Sequence, residues 1–146
     1  MRALIVSALL FAAPALASED IPDQYPGSVL YSKPIEVIPG VFSAIGATAP
    51  PTYENAGHNN NLSFIVTDEG VVVVNGGGSY QLAEALHNEV KNVTDKPVIL
   101  VFDENGQGHA MLGNSYWADQ GVKIVSHAAA AAEFEAYGPG SLLVAQ

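Results

Sequence analysis

The sequence predicts a layered α/β domain in which helices pack on a sheet, and three observations carry that expectation. Short β-branched runs joined by turn residues come first, as in antiparallel hairpins. Beyond residue 79 strand-like and helix-like segments alternate, the order that places helices against a sheet. No internal repeat or low-complexity block divides the chain, and its length of 146 residues suits one domain.

The elements follow in order. Met1-Arg2 is a short basic start, an apolar run extends to Leu16, and Ala15-Leu16-Ala17 is a small-residue cleavage site, so residues 1–17 are expected to be a signal peptide. The mature chain then begins near Ser18 in a periplasmic or secreted location. No segment is long enough to hold the processed chain in a membrane. Residues 18–34, rich in Pro, Asp, Ser and Tyr, read as an extended lead-in to a domain covering 35–146. Strands are expected at 35–38 and 41–45 around Pro39-Gly40, and residues 46–61 form a long loop of turn-forming residues. Loops of that length in compact domains tend to be functional.

Strands at 62–67 and 71–74 flank Asp68-Glu69-Gly70, where the glycine is expected to take a positive φ. Asn75-Gly76-Gly77-Gly78 leads to a helix capped by Ser79, with Leu82, Leu86 and Val90 on one face. A buried strand at 97–102, a helix at 109–119, a strand at 122–125 and a helix at 128–137 complete the expectation.

Composition bounds the function. An apolar content of 49% is that of a folded protein. With no cysteine, disulfides and thiolate chemistry are excluded, and an exported domain must rely on its core. A net charge of −10 disfavours nucleic acid and anionic membrane surfaces as partners.

The segments NLSFIVTDEGVVVVNGG, KPVILVF, LGNSYW and GVKIVSH together resemble the metallo-β-lactamase superfamily, and most of all its exported hydrolases associated with quinoproteins and sulfur oxidation. The match runs from about residue 35 to 137. The resemblance implies the first half of an αββα sandwich, two sheets packed face to face between helices. It also implies that further metal ligands lie in a second half, and the apolar ending 142–146 reads as the start of another element.

That family binds zinc through H-x-H-x-D-H ahead of the segment that here is Leu112-Gly113-Asn114. Carried across, the two leading His positions fall on Asn105 and Gln107, the Asp on His109 and the last His on Ala110. The Asp that closes the Val-rich strand and supports the family's site falls on Asn75. A catalytic zinc takes about three imidazole, carboxylate or thiolate ligands and keeps one position for water. Asn105 and Gln107 are poor ligands and Ala110 is none, although both amides can hydrogen-bond much as histidine does. The usual dinuclear zinc site is therefore not expected.

A rebuilt mononuclear site is the alternative. Asp103, Glu104 and His109 follow a strand, where ligands collect in open α/β sheets, and His58 lies where the family carries an active-site flap. These four would suit zinc or manganese, the only cofactors the sequence suggests. His109 is also the candidate acid or base, because imidazole changes charge near neutrality. The plainer reading makes Asp103 and Glu104 loop carboxylates beside a helix start.

Other features read as structural. His87 is expected on the surface, His127 as structural, and Tyr116 and Trp117 as core. The glycine turn lacks the Lys-Ser/Thr ending of a phosphate loop. Asn61 and Asn92 open glycosylation sequons that suit a strand and a helix end equally well. No Ser, base and acid stand in triad order. The chain is thus expected to be a non-catalytic or divergent family member with a small molecule or protein as partner. A half-sandwich would also expose one apolar sheet face and favour self-association.

Overall fold

The structure, a computed structural model, describes residues 24–53 and 55–144, with the backbone course alone for 141–144. The expected signal peptide over 1–17, and residues 18–23 of the lead-in, lie outside the described residues. One mixed sheet runs through the molecule with its six strands in sequence order. The strands are β1 (Ile35–Ile38), β2 (Val41–Ala44), β3 (Leu62–Val66), β4 (Val71–Val74), β5 (Val98–Asp103) and β6 (Lys123–Ser126). The first three pairings are antiparallel. Those of β4 with β5 and of β5 with β6 are parallel, because helical crossovers join these strands.

Helix α1 (Tyr80–Val93) provides the first crossover. Ser79 caps it, its hydroxyl accepting from the Leu82 N–H, and Leu82, Leu86 and Val90 face inward as their spacing of four predicts. The main core joins this stripe to Phe64, Val73 and Val101 of the sheet and to Tyr116 and Trp117. A smaller cluster of Ala110, Met111 and Ala130 packs with Phe134.

Three expectations need correction. The helix expected over 109–119 is two, α2 (Gly108–Met111) and α3 (Asn114–Asp119), because the chain must turn at Gly113 to pass the glycine turn. Gly70 does not take a positive φ. It is needed because a Cβ there would strike the Pro97 carbonyl, at 2.8 Å, and the Ile99 side chain beside it. The last helix, α4 (Ala128–Val144), continues past Tyr137, since the φ that proline fixes is helical and Pro139 forfeits only the bond to the Glu135 carbonyl. The lead-in packs onto the domain: Leu30 and Tyr31 are buried, and Leu30 belongs to the main core.

Candidate functional site

The candidate site forms where β4 and β5 end side by side. Asn75 leaves β4 with φ 68°, a left-handed conformation that asparagine tolerates better than most residues. Gly77 follows at φ 99°, and the chain then enters α1. This turn is clamped from below. Asp103, wholly buried at the end of β5, accepts from the Gly76 N–H at 2.9 Å through one oxygen and from the Asn114 amide at 2.7 Å through the other. Trp117 donates its indole N–H to the Gly76 carbonyl at 3.0 Å, and the Gly113 N–H donates to the Gly77 carbonyl at 2.7 Å. Burial pushes the Asp103 carboxyl up in pKa, while the bonds from Asn114 and Gly76 pull it down. A Cβ at Gly76 would collide with the Asn114 side chain, and one at Gly113 with the Gly76 carbonyl.

The loop after Asp103 carries the positions matched to the zinc motif. Glu104 Oε1 accepts from Asn105 Nδ2 at 3.2 Å and from Asn75 Nδ2 at 3.4 Å. The Glu104 N–H donates to Asn75 Oδ1 at 3.3 Å. Asn105 Nδ2 also lies 3.4 Å from His109 Nε2, and Asn105 Oδ1 accepts from the Gln107 N–H at 2.8 Å. Several of these bonds are long and individually weak. Together they run from Asn75 through Glu104 and Asn105 to His109. Gln107 is exposed and Ala110 is packed into the smaller core cluster.

His58 does not point into this loop. It is wholly buried, and its Nδ1 accepts from the Tyr31 N–H at 3.0 Å, which puts the ring proton on Nε2. Nε2 faces the Ala44 and Asn60 carbonyls without completing a bond of good geometry to either. Burial pushes its pKa down to about 4, so the ring is neutral at physiological pH. It pins the lead-in to the long loop.

Of the four residues named as an alternative metal set, Asp103 is committed to the turn, His58 to the lead-in, and Glu104 and His109 are joined through Asn105. Among the described residues no group of three or more His, Cys, Asp or Glu is placed to hold a metal ion. The residues present do not fit a dinuclear zinc centre.

Above the loop opens a cleft of about 1290 Å³. Its walls come from the long loop (Pro51, Tyr53), the glycine turn (Gly78), the α2 region (His109, Leu112) and α4 (Tyr137). Among the described residues the lining contains no Asp, Glu, Lys or Arg, and His109 is its one imidazole. The sequence singled out His109 and the long loop but not the remaining walls, since Ser28 and Val29 of the lead-in and Tyr137 arrive from both ends of the domain. His87, expected on the surface, is instead half-buried. Its Nδ1 lies 2.8 Å from the Tyr116 hydroxyl and its ring packs against Trp117 with centroids 5.3 Å apart. The sequence offered a hint, because His87 follows directly on the inward-facing Leu86.

No family model matches the chain. Solved structures do. The metallo-β-lactamase FIM-1 from Pseudomonas aeruginosa, in its mono-zinc form, superimposes with a TM-score of 0.59 at 16% identity, over 72% of this chain and 46% of that one. A metallo-β-lactamase from Erythrobacter litoralis, with β-mercaptoethanol in its active site, gives 0.58 at 14% identity, over 72% and 45%. The chain therefore spans less than half the length of either structure. At such identity the likeness is one of fold, and it bears out the layered α/β arrangement, as part of the metallo-β-lactamase fold, that the sequence resemblance implied.

Proposed function

We propose that this chain is an exported, non-catalytic member of the metallo-β-lactamase superfamily that binds a small, uncharged and largely apolar molecule in the cleft above the former motif loop. The observation that carries this reading is the character of the cleft. It is ample for a small molecule, at about 1290 Å³ being roomier than most ligand pockets, it lies beside the motif positions, and no charged side chain among the described residues lines it, although the chain as a whole is strongly acidic. The described lining offers no charged group to neutralise an anion or a cation. It offers instead the aromatic rings of Tyr53 and Tyr137, the apolar Leu112 and Val29, and the His109 ring as a hydrogen-bonding group. Ionic ligands would lose hydration there without compensation.

The chemistry of the motif residues supports the non-catalytic part. Asn105, Gln107 and Ala110 supply neither imidazole nor carboxylate, and Asp103 spends both oxygens on the glycine turn. A divergent hydrolase is the competing reading, and the one observation in its favour is that His109 stands in the cleft wall.

One series of experiments separates the two. Neutral, anionic and cationic aromatic fragments are titrated into the protein, purified without chelator or affinity tag, and followed by NMR, with the metal content of the same preparation measured. The expected result is saturable binding of neutral fragments, shifts confined to cleft residues, and loss of binding in Leu112→Arg. Preference for charged fragments would sink the proposed ligand class. About one equivalent of zinc or manganese, lost in His109→Ala, would establish the hydrolase reading instead.

A further inference from the structure

The polar groups of the cleft differ in what they have left to offer a ligand. Three aliphatic hydroxyls stand in the lining, and each oxygen already accepts from a backbone N–H. Ser28 Oγ takes the Leu30 N–H at 3.1 Å, Thr52 Oγ1 the Asn55 N–H at 3.2 Å and Ser79 Oγ the Leu82 N–H at 3.2 Å. Among the described residues none of the three gives its own proton to another group. Half of each oxygen's accepting capacity is therefore spent, while its O–H donor is wholly uncommitted.

His109 is biased the same way by its neighbours. Asn105 Oδ1 accepts from the Gln107 N–H at 2.8 Å, and Asn105 Nδ2 donates to Glu104 Oε1 at 3.2 Å. A backbone N–H only donates and an ionised carboxylate only accepts, so the two contacts assign both ends of the amide. Nδ2 is thus the atom 3.4 Å from His109 Nε2, and it has a second hydrogen to give. Nε2 is then the accepting nitrogen, which puts the proton of the neutral ring on Nδ1. The contact is long and weak, but its sign decides the tautomer, because an Nε2–H would face another N–H. Among the described residues nothing bonds to Nδ1, and the ring stands in the cleft wall.

We propose that the cleft selects neutral molecules carrying hydrogen-bond acceptors, carbonyl or ether oxygens on an apolar frame, and that Asn105 is the positioning residue that makes His109 an Nδ1–H donor toward them. The proposal rests on the reading of the cleft as a small-molecule site and adds the polarity of ligand it takes. Four donors with no charge among them suit an oxygen that carries partial negative charge and needs no counter-ion. A ligand whose polar group can only donate would set N–H against N–H at His109. The Asn59 and Gln81 amides in the lining offer both roles and do not distinguish the two kinds of ligand.

Two measurements on the same protein test this, at about pH 8.5 where free imidazole is neutral. Long-range proton–nitrogen NMR correlation reads which nitrogen of His109 bears the proton, with His109→Phe identifying the signal. Titrations compare shape-matched pairs: acetophenone against isopropenylbenzene, in which a CH₂ group replaces the carbonyl oxygen, and indole, which only donates, against indene. The expected result is a protonated Nδ1. The ratio of the isopropenylbenzene Kd to the acetophenone Kd should fall roughly five-fold in His109→Phe, the worth of one net hydrogen bond. The indene-to-indole ratio should not fall. Asn105→Ala should move the proton to Nε2, the tautomer histidine prefers in water, and lower the acetophenone preference with the imidazole still in place. A proton on Nε2 of the wild-type ring would overturn the assignment of His109. An acetophenone preference untouched by both substitutions, with Nδ1 protonated, would overturn the assignment of the ligand. If Nδ1 is protonated and no fragment of any kind binds, the small-molecule reading of the cleft fails and the ligand assignment falls with it.

Discussion

Asp103 ends a strand in the interior with each oxygen holding a different partner, so its contribution is that of a cross-link between the glycine turn and α3. Asp103→Ala leaves the Gly76 N–H and the Asn114 amide without acceptors in a buried place. Two lost partners at about 1–3 kcal/mol each should lower unfolding free energy by about 3 kcal/mol, measurable by urea denaturation. Asp103→Asn keeps one acceptor and should cost about half as much. His58 gives a second residue-level expectation, in pH. Its folded pKa of about 4 lies below the unfolded value of 6.5, so above 6.5 both states are neutral and stability is undiminished. As pH falls toward 4 the unfolded chain takes the proton first, and stability drains away by up to about 3 kcal/mol. His58→Gln, which keeps an acceptor for the Tyr31 N–H, should flatten that part of the pH profile. An unchanged slope in the variant would assign the loss to other groups.

At the level of elements, most of the fold was legible because the strands are short apolar runs between turn residues, β4 wholly valine, and α1 carries its own cap and stripe. What escaped the sequence lies between elements. The break between α2 and α3 is set by the fit of Gly113 against the Gly76 carbonyl and by its N–H bond to Gly77, residues far back in the chain. Gly70 likewise answers to Pro97 and Ile99 on a different strand. Gly113→Ala should therefore cost more than a helix propensity difference, which would favour alanine. About 2–3 kcal/mol from overpacking is expected, readable as a lowered thermal midpoint. An unchanged or raised midpoint would show that α2 and α3 can separate from the turn at no cost. The candidate site divides in the same way. Its motif positions could be assigned by resemblance because four of them, Asn105, Gln107, His109 and Ala110, lie within six residues, whereas the cleft walls and the burial of Asp103 depend on contacts between distant segments.

For the molecule as a whole, the unusual feature is where charge is missing. An acidic protein ordinarily spreads carboxylates over its exterior for solubility. Here the cleft lining carries no carboxylate among the described residues. The absence of charge in the lining suits the uncharged ligand proposed for the cleft, and Leu112→Arg tests it by placing a cation there.

The chain of contacts from Asn75 through Glu104 and Asn105 to His109 also fixes what single changes can do. Asn105→His removes the amide that bridges Glu104 to His109, while Gln107 and Ala110 still supply no ligand. Asn75→Asp sets a second carboxylate against Glu104. Each change made alone therefore costs the loop a contact without completing a ligand set. A loop knit through amides in this way resists acquiring a metal one substitution at a time.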